Sequence, residues 1–210
     1  MLSVDETIRL VIVEDHPLMR LGVRTMLASH ADMIVVGEVG TGTDAINLCK
    51  KERPNVVVVD LGLPDMSGVA VIRAVKLFSP TTQFVVLTTY EGDEDIYQAL
   101  AAGARAYVIK GLPHKMLVDA IRRVHSGINY LPEPVGVRLD NRTTDSDLSA
   151  QEFKVISLMS TGRSNREIGE ALGITEATIK YHVSEILAKL EANDRTHAVV
   201  IALQRGILHL

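Results

Sequence analysis

Residues that could act in acid–base or phosphoryl chemistry follow several apolar segments between positions 8 and 110 of this chain. They are Glu14, Asp15, Asp60, Thr88 and Lys110. Asp60 follows four consecutive valines, and a carboxylate at the end of such a buried strand is unfavourable unless a charge pairs with it. Taken alone, Asp60 is equally well explained as a cap of the next helix, so the other residues must decide.

Together, these residues predict a site for phosphoryl transfer. Carboxylates that converge at hydrogen-bonding distance repel one another, and their pKa values rise. A divalent cation with a preference for oxygen relieves the repulsion, and magnesium suits a site with few carboxylates and several waters. Lys110 adds a positive charge and Thr88 a hydroxyl donor for the oxygens of a phosphoryl group. Asp60 is then the nucleophile that forms an aspartyl phosphate.

The pattern of residues 8–126 predicts the elements that bring these side chains together. Strand-like apolar segments alternate with segments whose apolar residues have helical spacing. The predicted strands are Ile8–Val13, Met33–Val39, Asn55–Val59, Gln83–Thr88 and Ala106–Ile109. This alternation is typical of an α/β fold with a doubly wound five-stranded parallel sheet covered on both faces. In such a fold, functional groups gather at the carboxyl ends of the strands.

Composition limits the class of protein without identifying it. The chain has 210 residues, of which 47% are hydrophobic, so it can bury a core in one large or two small domains. The single cysteine, Cys49, excludes an intramolecular disulfide framework. We see no signal peptide and no membrane-spanning run, and therefore expect a cytoplasmic protein without a membrane partner. The net charge of −4 does not indicate a nucleic-acid partner.

The sequence changes character after Gly127. Residues 132–147 are rich in proline and small polar residues, so we predict a first domain over 1–128, a linker over 129–147 and a second domain over 148–210. The second domain is predicted to be all helical, with capping boxes that begin at Ser149 and Ser164. A tight turn at 171–174 joins two of its helices, as a helix-turn-helix requires.

Four ordered motifs in the first domain resemble those of response-regulator receiver domains, which have a flavodoxin-like fold. They are Val13–Pro17, Val59–Gly68, Val86–Tyr90 and Gly103–Lys110. The resemblance implies that a sensor histidine kinase phosphorylates Asp60 and that Thr88 and Lys110 bind the phosphoryl oxygens.

The same resemblance implies a metal site and a switch. Mg²⁺ would be held by Asp15, Asp60 and the backbone carbonyl of Gly62, with Glu14 acting mainly through water. Tyr107 would be the switch aromatic, which turns inward as Thr88 moves.

The second domain resembles the DNA-binding domain of the LuxR type. The residues that carry the resemblance are Leu148, Ser149 and Glu152, then Gly162–Ile168, then Thr178–Val183 with Ile186, Lys189 and Leu190, and finally Asp194–Thr196 with Ala198 and Val199. The whole chain thus resembles a NarL/FixJ-family two-component response regulator. This implies a DNA-binding transcription regulator rather than an enzyme, in which phosphorylation shifts dimerisation and promoter binding.

The second helix of the helix-turn-helix, from about Thr175 to Leu190, is expected to present its exposed face to the major groove. Its predicted inward residues are Ile179, Val183, Ile186 and Leu190. The candidate base contacts are Lys180, Tyr181 and Ser184, and the candidate phosphate contacts are Thr178, His182 and Lys189. Each of these could also be an ordinary solvated residue, which for Lys189 alone is the favoured interpretation.

Charge in the second domain predicts how strongly it binds DNA. From Asp147 onward there are seven Lys and Arg residues against eight Asp and Glu residues, so few phosphate contacts are expected. We therefore predict weak, salt-sensitive binding by the unphosphorylated monomer and a homodimer on phosphorylation. The helix with Ala198, Val199, Ala202 and Leu203 is a candidate dimer contact. Whether phosphorylation acts through dimerisation or by releasing the DNA-binding domain stays open, as does the receiver face that dimerises.

Other functions on a similar fold or site would need sequence features that differ from those of this chain. A haloacid-dehalogenase-type phosphatase needs a second aspartate two positions after the first, where this chain has Gly62. A flavin-binding flavodoxin needs a phosphate loop after the first strand, and His16-Pro17-Leu18 does not provide one. An esterase needs Gly-x-Ser-x-Gly, which the segment 162–166 lacks at its last position. A receiver that only binds a protein partner, in a regulator that works without phosphate, remains a further alternative.

Overall fold

The computed structural model describes residues 7–140 and 148–209. The described residues form two compact units. The first comprises residues up to Glu91 and Ile96–Leu139, and the second comprises Gly92–Asp95 and the residues from Asp140 onward. No helix within these residues is both long enough and apolar enough to cross a membrane.

The first unit is built on one parallel sheet of five strands in the order β2-β1-β3-β4-β5. The strands are β1 Ile8–Val13, β2 Met33–Val39, β3 Val56–Val59, β4 Gln83–Thr88 and β5 Ala106–Ile109. The helices that alternate with them are α1 Pro17–Ala28, α2 Gly42–Glu52, α3 Gly68–Phe78, α4 Asp93–Ala101 and α5 His114–His125. The predicted doubly wound α/β fold is confirmed.

The run of four valines at β3 is buried on both faces of the sheet. Val57 and Val59 belong to one hydrophobic core, which includes residues of α2, α3 and α4. Val56 and Val58 belong to a second core, which includes residues of α1 and α5. Side chains alternate between the faces of a strand, so an uninterrupted apolar run is what a doubly covered central strand requires.

The segment predicted as a linker contains a short helix, α6, at Glu133–Asp140. Val135 is fully buried in the core that contains Val57, and Leu131 and Leu139 pack against the same core. This part of the segment is therefore folded onto the first unit, because three apolar side chains find a place there. Residues 141–147, which include the remainder of the predicted linker, lie outside the described residues.

The second unit consists of four helices: α7 Ala150–Ser160, α8 Asn165–Leu172, α9 Glu176–Lys189 and α10 Arg195–Gln204. Both predicted capping boxes are present, Ser149 with Glu152 and Ser164 with Glu167. Helix α8 ends at Gly173, which has a φ of 67° and so adopts the left-handed conformation that favours glycine. This turn joins α8 to α9 as predicted for a helix-turn-helix.

A single apolar core holds the second unit together. The predicted inward residues of α9 are confirmed, because Ile179, Ile186 and Leu190 are buried and Val183 packs against them. Ala198 and Ala202 of α10 are also fully buried in this core. They are therefore not available for the predicted dimer contact. Val199 and Leu203, the other two residues of that prediction, are partly buried and pack against the same core.

Candidate functional site

Asp60 lies at the centre of the carboxyl edge of the sheet, directly after β3. Its backbone amide donates a hydrogen bond to Val13 O at 2.9 Å, which continues the pairing of β3 with β1. Only 5% of the residue is exposed. A carboxylate so deeply buried requires compensating partners, and these come from the ends of the neighbouring strands.

Lys110 bridges two of the buried carboxylates. Its Nζ lies 2.5 Å from Asp60 Oδ2 and 2.8 Å from Glu14 Oε2. Burial acts to lower the pKa of Lys110, but its hydrogen bonds to Asp60 and Glu14 outweigh that effect and raise the pKa. The lysine is therefore held charged, and its ammonium offsets the repulsion between the two acids.

Asp15 completes a cluster of carboxylates with Glu14 and Asp60. Together with His16 these residues offer ligand atoms that all lie within 4.8 Å of one another. His16 Nδ1 is 2.7 Å from Asp15 Oδ1, but among the described residues this buried oxygen receives no properly aligned hydrogen bond. An oxygen-rich cluster with an unsatisfied buried carboxylate oxygen fits a hard divalent cation such as Mg²⁺.

The backbone around Gly62 lies next to Asp60. The Gly62 amide donates to Asp60 Oδ1 across 3.4 Å. The ring of Tyr90 covers Gly62 so closely that a Cβ atom at position 62 would lie 3.0 Å from Tyr90 Oη. Gly62 is therefore placed beside the phosphoacceptor candidate, as the sequence motif predicts, and a side chain there would press on Tyr90.

Thr88 and Tyr107 are both fully buried. Thr88 Oγ1 accepts a hydrogen bond from the Tyr90 amide at 3.4 Å. Tyr107 Oη donates to the Tyr90 carbonyl at 2.9 Å, so its ring occupies the inward position that the resemblance associates with a switch. The backbone of Tyr90 thus connects the two predicted switch residues.

Three residues near the site were not singled out from the sequence. Arg20 donates to the Glu14 carbonyl at 2.5 Å, and His16 Nδ1 lies 3.2 Å from Glu14 Oε1. Asp65 accepts hydrogen bonds from the Gly42 and Thr43 amides at the start of α2. His16 could have been found from its position beside Asp15, whereas the partners of Arg20 and Asp65 depend on how the chain folds.

Helix α9 presents several of the predicted DNA-binding residues to solvent. Lys180, Tyr181 and Ser184 are exposed, and 62% of Tyr181 is accessible. Lys180 Nζ forms a surface ion pair with Glu176 at 2.9 Å, which is a weak interaction that DNA could displace. These three residues share the face that a major groove would meet.

The predicted phosphate contacts are less exposed. The hydroxyl of Thr178 is 2.9 Å from that of Thr175, the N-cap of α9. His182 is half-buried, with its ring edge-on to Tyr181 at 5.7 Å between centroids. Lys189 Nζ lies 2.7 Å from Glu152 Oε2, and Glu152 is buried. The ammonium of Lys189 is thus paired with a buried carboxylate of the second unit.

Two family models match the chain, one for each unit. The response regulator receiver domain matches residues 10–122. The luxR family of bacterial regulatory proteins matches residues 146–202.

Similar proteins extend over nearly the whole chain. Response regulator protein VraR of Staphylococcus aureus is 35% identical over 207 residues, which cover 96% of this chain and 99% of VraR. ChrA, the response regulator of a heme-sensing two-component system, has a solved structure that is 32% identical with a TM-score of 0.57, covering 97% of this chain and 100% of ChrA.

A further solved structure contains RcsB from Salmonella enterica serovar Typhimurium bound to the promoter P1flhDC in the presence of the phosphomimetic BeF₃⁻. It is 25% identical with a TM-score of 0.73, and the match covers 94% of this chain and 98% of RcsB. With a receiver domain and a luxR-type domain in one chain, this protein belongs to the NarL/FixJ family of DNA-binding response regulators of two-component systems.

Proposed function

We propose that Asp60 is the phosphoacceptor and that a sensor histidine kinase supplies the phosphoryl group. The observation that carries this proposal is the buried Asp60 carboxylate, 2.5 Å from the Lys110 ammonium and within the acidic cluster of Glu14 and Asp15. An Asp60 oxygen attacks the phosphorus of a phosphohistidine on the kinase. The P–N bond breaks as the new P–O bond forms, and the imidazole nitrogen keeps the electron pair and takes up a proton.

The residues around Asp60 suit the charge of this reaction. The Lys110 ammonium beside Asp60 would bind an oxygen of the phosphoryl group, and the buried Thr88 hydroxyl would donate to another. Asp15, Asp60 and the Gly62 carbonyl would hold Mg²⁺, with Glu14 contributing through a water. The cation supplies further neutralisation of the phosphoryl oxygens when it is bound.

Phosphorylation then acts on the switch residues. An aspartyl phosphate adds about two negative charges to the pocket and draws Thr88 towards it. The Tyr90 backbone connects Thr88 to the Tyr107 hydroxyl, so movement of Thr88 is transmitted to Tyr107. The shifted equilibrium favours a homodimer, which adds a second DNA-binding unit.

The output is promoter binding by α9. Lys180, Tyr181 and Ser184 would read base edges in the major groove, and Thr178 and His182 would contact phosphates. Lys189 is left out of this set because its ammonium pairs with the buried Glu152. RcsB, a relative over nearly its full length, has been solved on promoter DNA, which supports the same partner for this chain. We propose that the protein acts in the cytoplasm, where it would encounter both the promoter and the phosphohistidine of the kinase.

Phosphorylation of the full chain with acetyl phosphate and Mg²⁺ tests the proposal. Intact-mass measurement should show one added phosphoryl group in the wild-type chain and none in Asp60→Asn. Dimerisation and promoter affinity should rise only in the wild type. An unchanged rise in both for Asp60→Asn would contradict the proposed mechanism.

A further inference from the structure

The loop between β3 and α3, residues 61–67, carries Gly62 and is tied down at its beginning and end. Gly68 approaches the preceding backbone so closely that a Cβ atom there would lie 2.1 Å from Asp60 O. The Gly68 amide also donates to Leu61 O at 2.9 Å, and Gly62 pairs with Ser67 in an isolated antiparallel bridge. Backbone contacts therefore hold the two ends of the loop together, and the loop begins directly after Asp60.

Asp65, near the middle of this loop, binds the first turn of helix α2. Its Oδ1 accepts from the Gly42 amide at 2.7 Å, and its Oδ2 accepts from the Thr43 amide at 2.9 Å and the Thr43 hydroxyl at 2.7 Å. Thr41, the N-cap of α2, binds a different amide of the same turn, that of Asp44 at 3.2 Å. The helix start thus has one cap from its own segment and one from the loop beside Asp60.

The packing beneath Asp65 leaves little room for the loop to move. A Cβ atom at Gly42 would lie 2.4 Å from Met66 Cγ and 2.9 Å from Val71 Cγ2. The start of α2 therefore lies directly against the loop and the first turns of α3. Charged hydrogen bonds to a helix N-terminus are strong and directional. Asp65 therefore fixes the position of the loop relative to α2, whereas the backbone contacts only join the two ends of the loop to each other.

We propose that Asp65 is a positioning residue for the phosphorylation site: its contacts with Gly42 and Thr43 set where the Gly62 carbonyl stands relative to Asp60. This inference rests on the proposed function, because it assigns the Gly62 carbonyl to Mg²⁺. Asp65 itself is exposed and would act only through the position of the loop backbone. Groups that orient a metal ligand typically change metal affinity by about 10–100-fold when they are removed.

Calorimetric titration of the full chain with Mg²⁺ tests the inference. Asp65→Asn retains an acceptor for Gly42 but presents an amide group to the Thr43 donors, so Mg²⁺ affinity should fall about tenfold. Thr43→Val removes only the hydroxyl bond and should give a smaller loss in the same direction. Phosphorylation of both variants by acetyl phosphate should be slow at low Mg²⁺ and recover towards the wild-type rate at saturating Mg²⁺.

Thr41→Ala is the matched control, because it removes a cap from the same helix turn without touching the loop. It should lower the unfolding temperature while leaving Mg²⁺ affinity at the wild-type value. The inference would be overturned, without affecting the proposed function, if Asp65→Asn and Thr43→Val both bound Mg²⁺ with wild-type affinity. An equal loss of Mg²⁺ affinity in Thr41→Ala would overturn it in the same way. Absence of Mg²⁺ binding and aspartyl phosphate in the wild-type chain would overturn the proposed function, and this inference with it.

Discussion

Lys110 reaches across strand β4 to bind Asp60, with its Nζ 2.5 Å from Asp60 Oδ2. Lys110 follows β5 and Asp60 follows β3, so the pair joins two strands that are not neighbours in the sheet. The same ammonium binds Glu14 after β1. One cation therefore holds the two deeply buried carboxylates of the site.

Replacing Lys110 with methionine should destabilise the first unit at neutral pH. The change leaves Glu14 and Asp60 as buried acids without their shared cation, a loss on the order of 3 kcal/mol. Added Mg²⁺ should raise the unfolding temperature of Lys110→Met more than that of the wild type, because the cation replaces the missing charge. Differential scanning calorimetry with and without Mg²⁺ measures both effects.

Lys51→Met provides the control for this prediction. Lys51 lies on α2 with 79% of its side chain exposed, and its nearest carboxylate is 3.5 Å away. Loss of such a surface charge should change stability by about 0.5 kcal/mol or less. Equal unfolding temperatures for Lys110→Met and Lys51→Met would show that the bridge does not offset the buried acids.

Acid should remove the stabilisation that Asp65 provides. Hydrogen bonds from the Thr43 hydroxyl and from the amides of Gly42 and Thr43 lower the pKa of Asp65 from 3.8 to about 2. A carboxyl group whose pKa is lower in the folded state stabilises fully above its unfolded pKa and loses this effect as the pH falls through the folded pKa. The stability difference between wild type and Asp65→Asn should therefore be constant above about pH 5 and shrink between pH 3.8 and about 2.

Urea unfolding of both proteins at a series of pH values measures this difference. Mg²⁺ is left out so that only the helix contact contributes. A difference that stays the same down to pH 2 would mean that the ionised form of Asp65 is not what binds α2.

Sequence patterns predict the parts of this fold that depend on local rules. Uninterrupted valines identify β3 as a doubly covered strand, and Ser149 and Ser164 with their glutamates identify the starts of α7 and α8. The convergence of Asp60 and Lys110 follows from the same rules, since parallel strands bring their carboxyl ends to one edge. These features could be predicted because each depends on neighbours in sequence or on sheet topology alone.

Features that depend on distant packing could not be predicted in this way. Proline and polar residues around α6 are typical of a linker, yet Val135 is fully buried against the first unit. Asp65 looks like an ordinary turn residue, and its partners lie 22 and 23 positions earlier in the chain. The sequence around Val135 and Asp65 does not indicate which residues they contact after folding.

The ion pair between Glu152 and Lys189 should stabilise the second unit. Burial acts to raise the pKa of Glu152, but hydrogen bonds from Lys189 and from Ser149 outweigh it and lower the pKa. Glu152→Gln keeps an acceptor for the Ser149 amide but loses the charge pairing, which should cost about 1–3 kcal/mol. The loss should be full above pH 4.5, the ordinary pKa of the unfolded carboxyl group. It should shrink as the pH falls below that value and disappear once the pH has fallen through the lower pKa of the folded state, where the wild-type carboxylate is protonated as well.

A double-mutant cycle with Lys189→Met isolates the pair. The combined variant should be less destabilised than the sum of the two single changes, because each removes the same interaction. Chemical unfolding at neutral pH gives the free energies of unfolding of the wild type, the two single variants and the double variant. Strict additivity would mean that Glu152 acts only as the partner of Ser149 in the capping box, and it would leave Lys189 for the DNA.

Lys180, on the exposed face of α9, should contribute to promoter recognition by contacting a base edge. Removing it by Lys180→Ala should reduce the discrimination between promoter and random DNA by about 1–3 kcal/mol if it reads a base edge. A phosphate contact would instead weaken both DNAs alike and lower the slope of log affinity against log salt by about one. Fluorescence anisotropy with both DNAs across a salt series distinguishes these two outcomes for the phosphorylated chain.

Lys154→Ala is the matched control for this experiment. Lys154 is exposed on α7 and carries the same charge, so its removal changes the net charge of the second unit equally. Because that unit is close to neutral, a general electrostatic effect would weaken DNA binding in both variants to a similar extent. Loss of discrimination in Lys180→Ala alone assigns recognition to the exposed face of α9, and equal effects in the two variants would contradict that assignment.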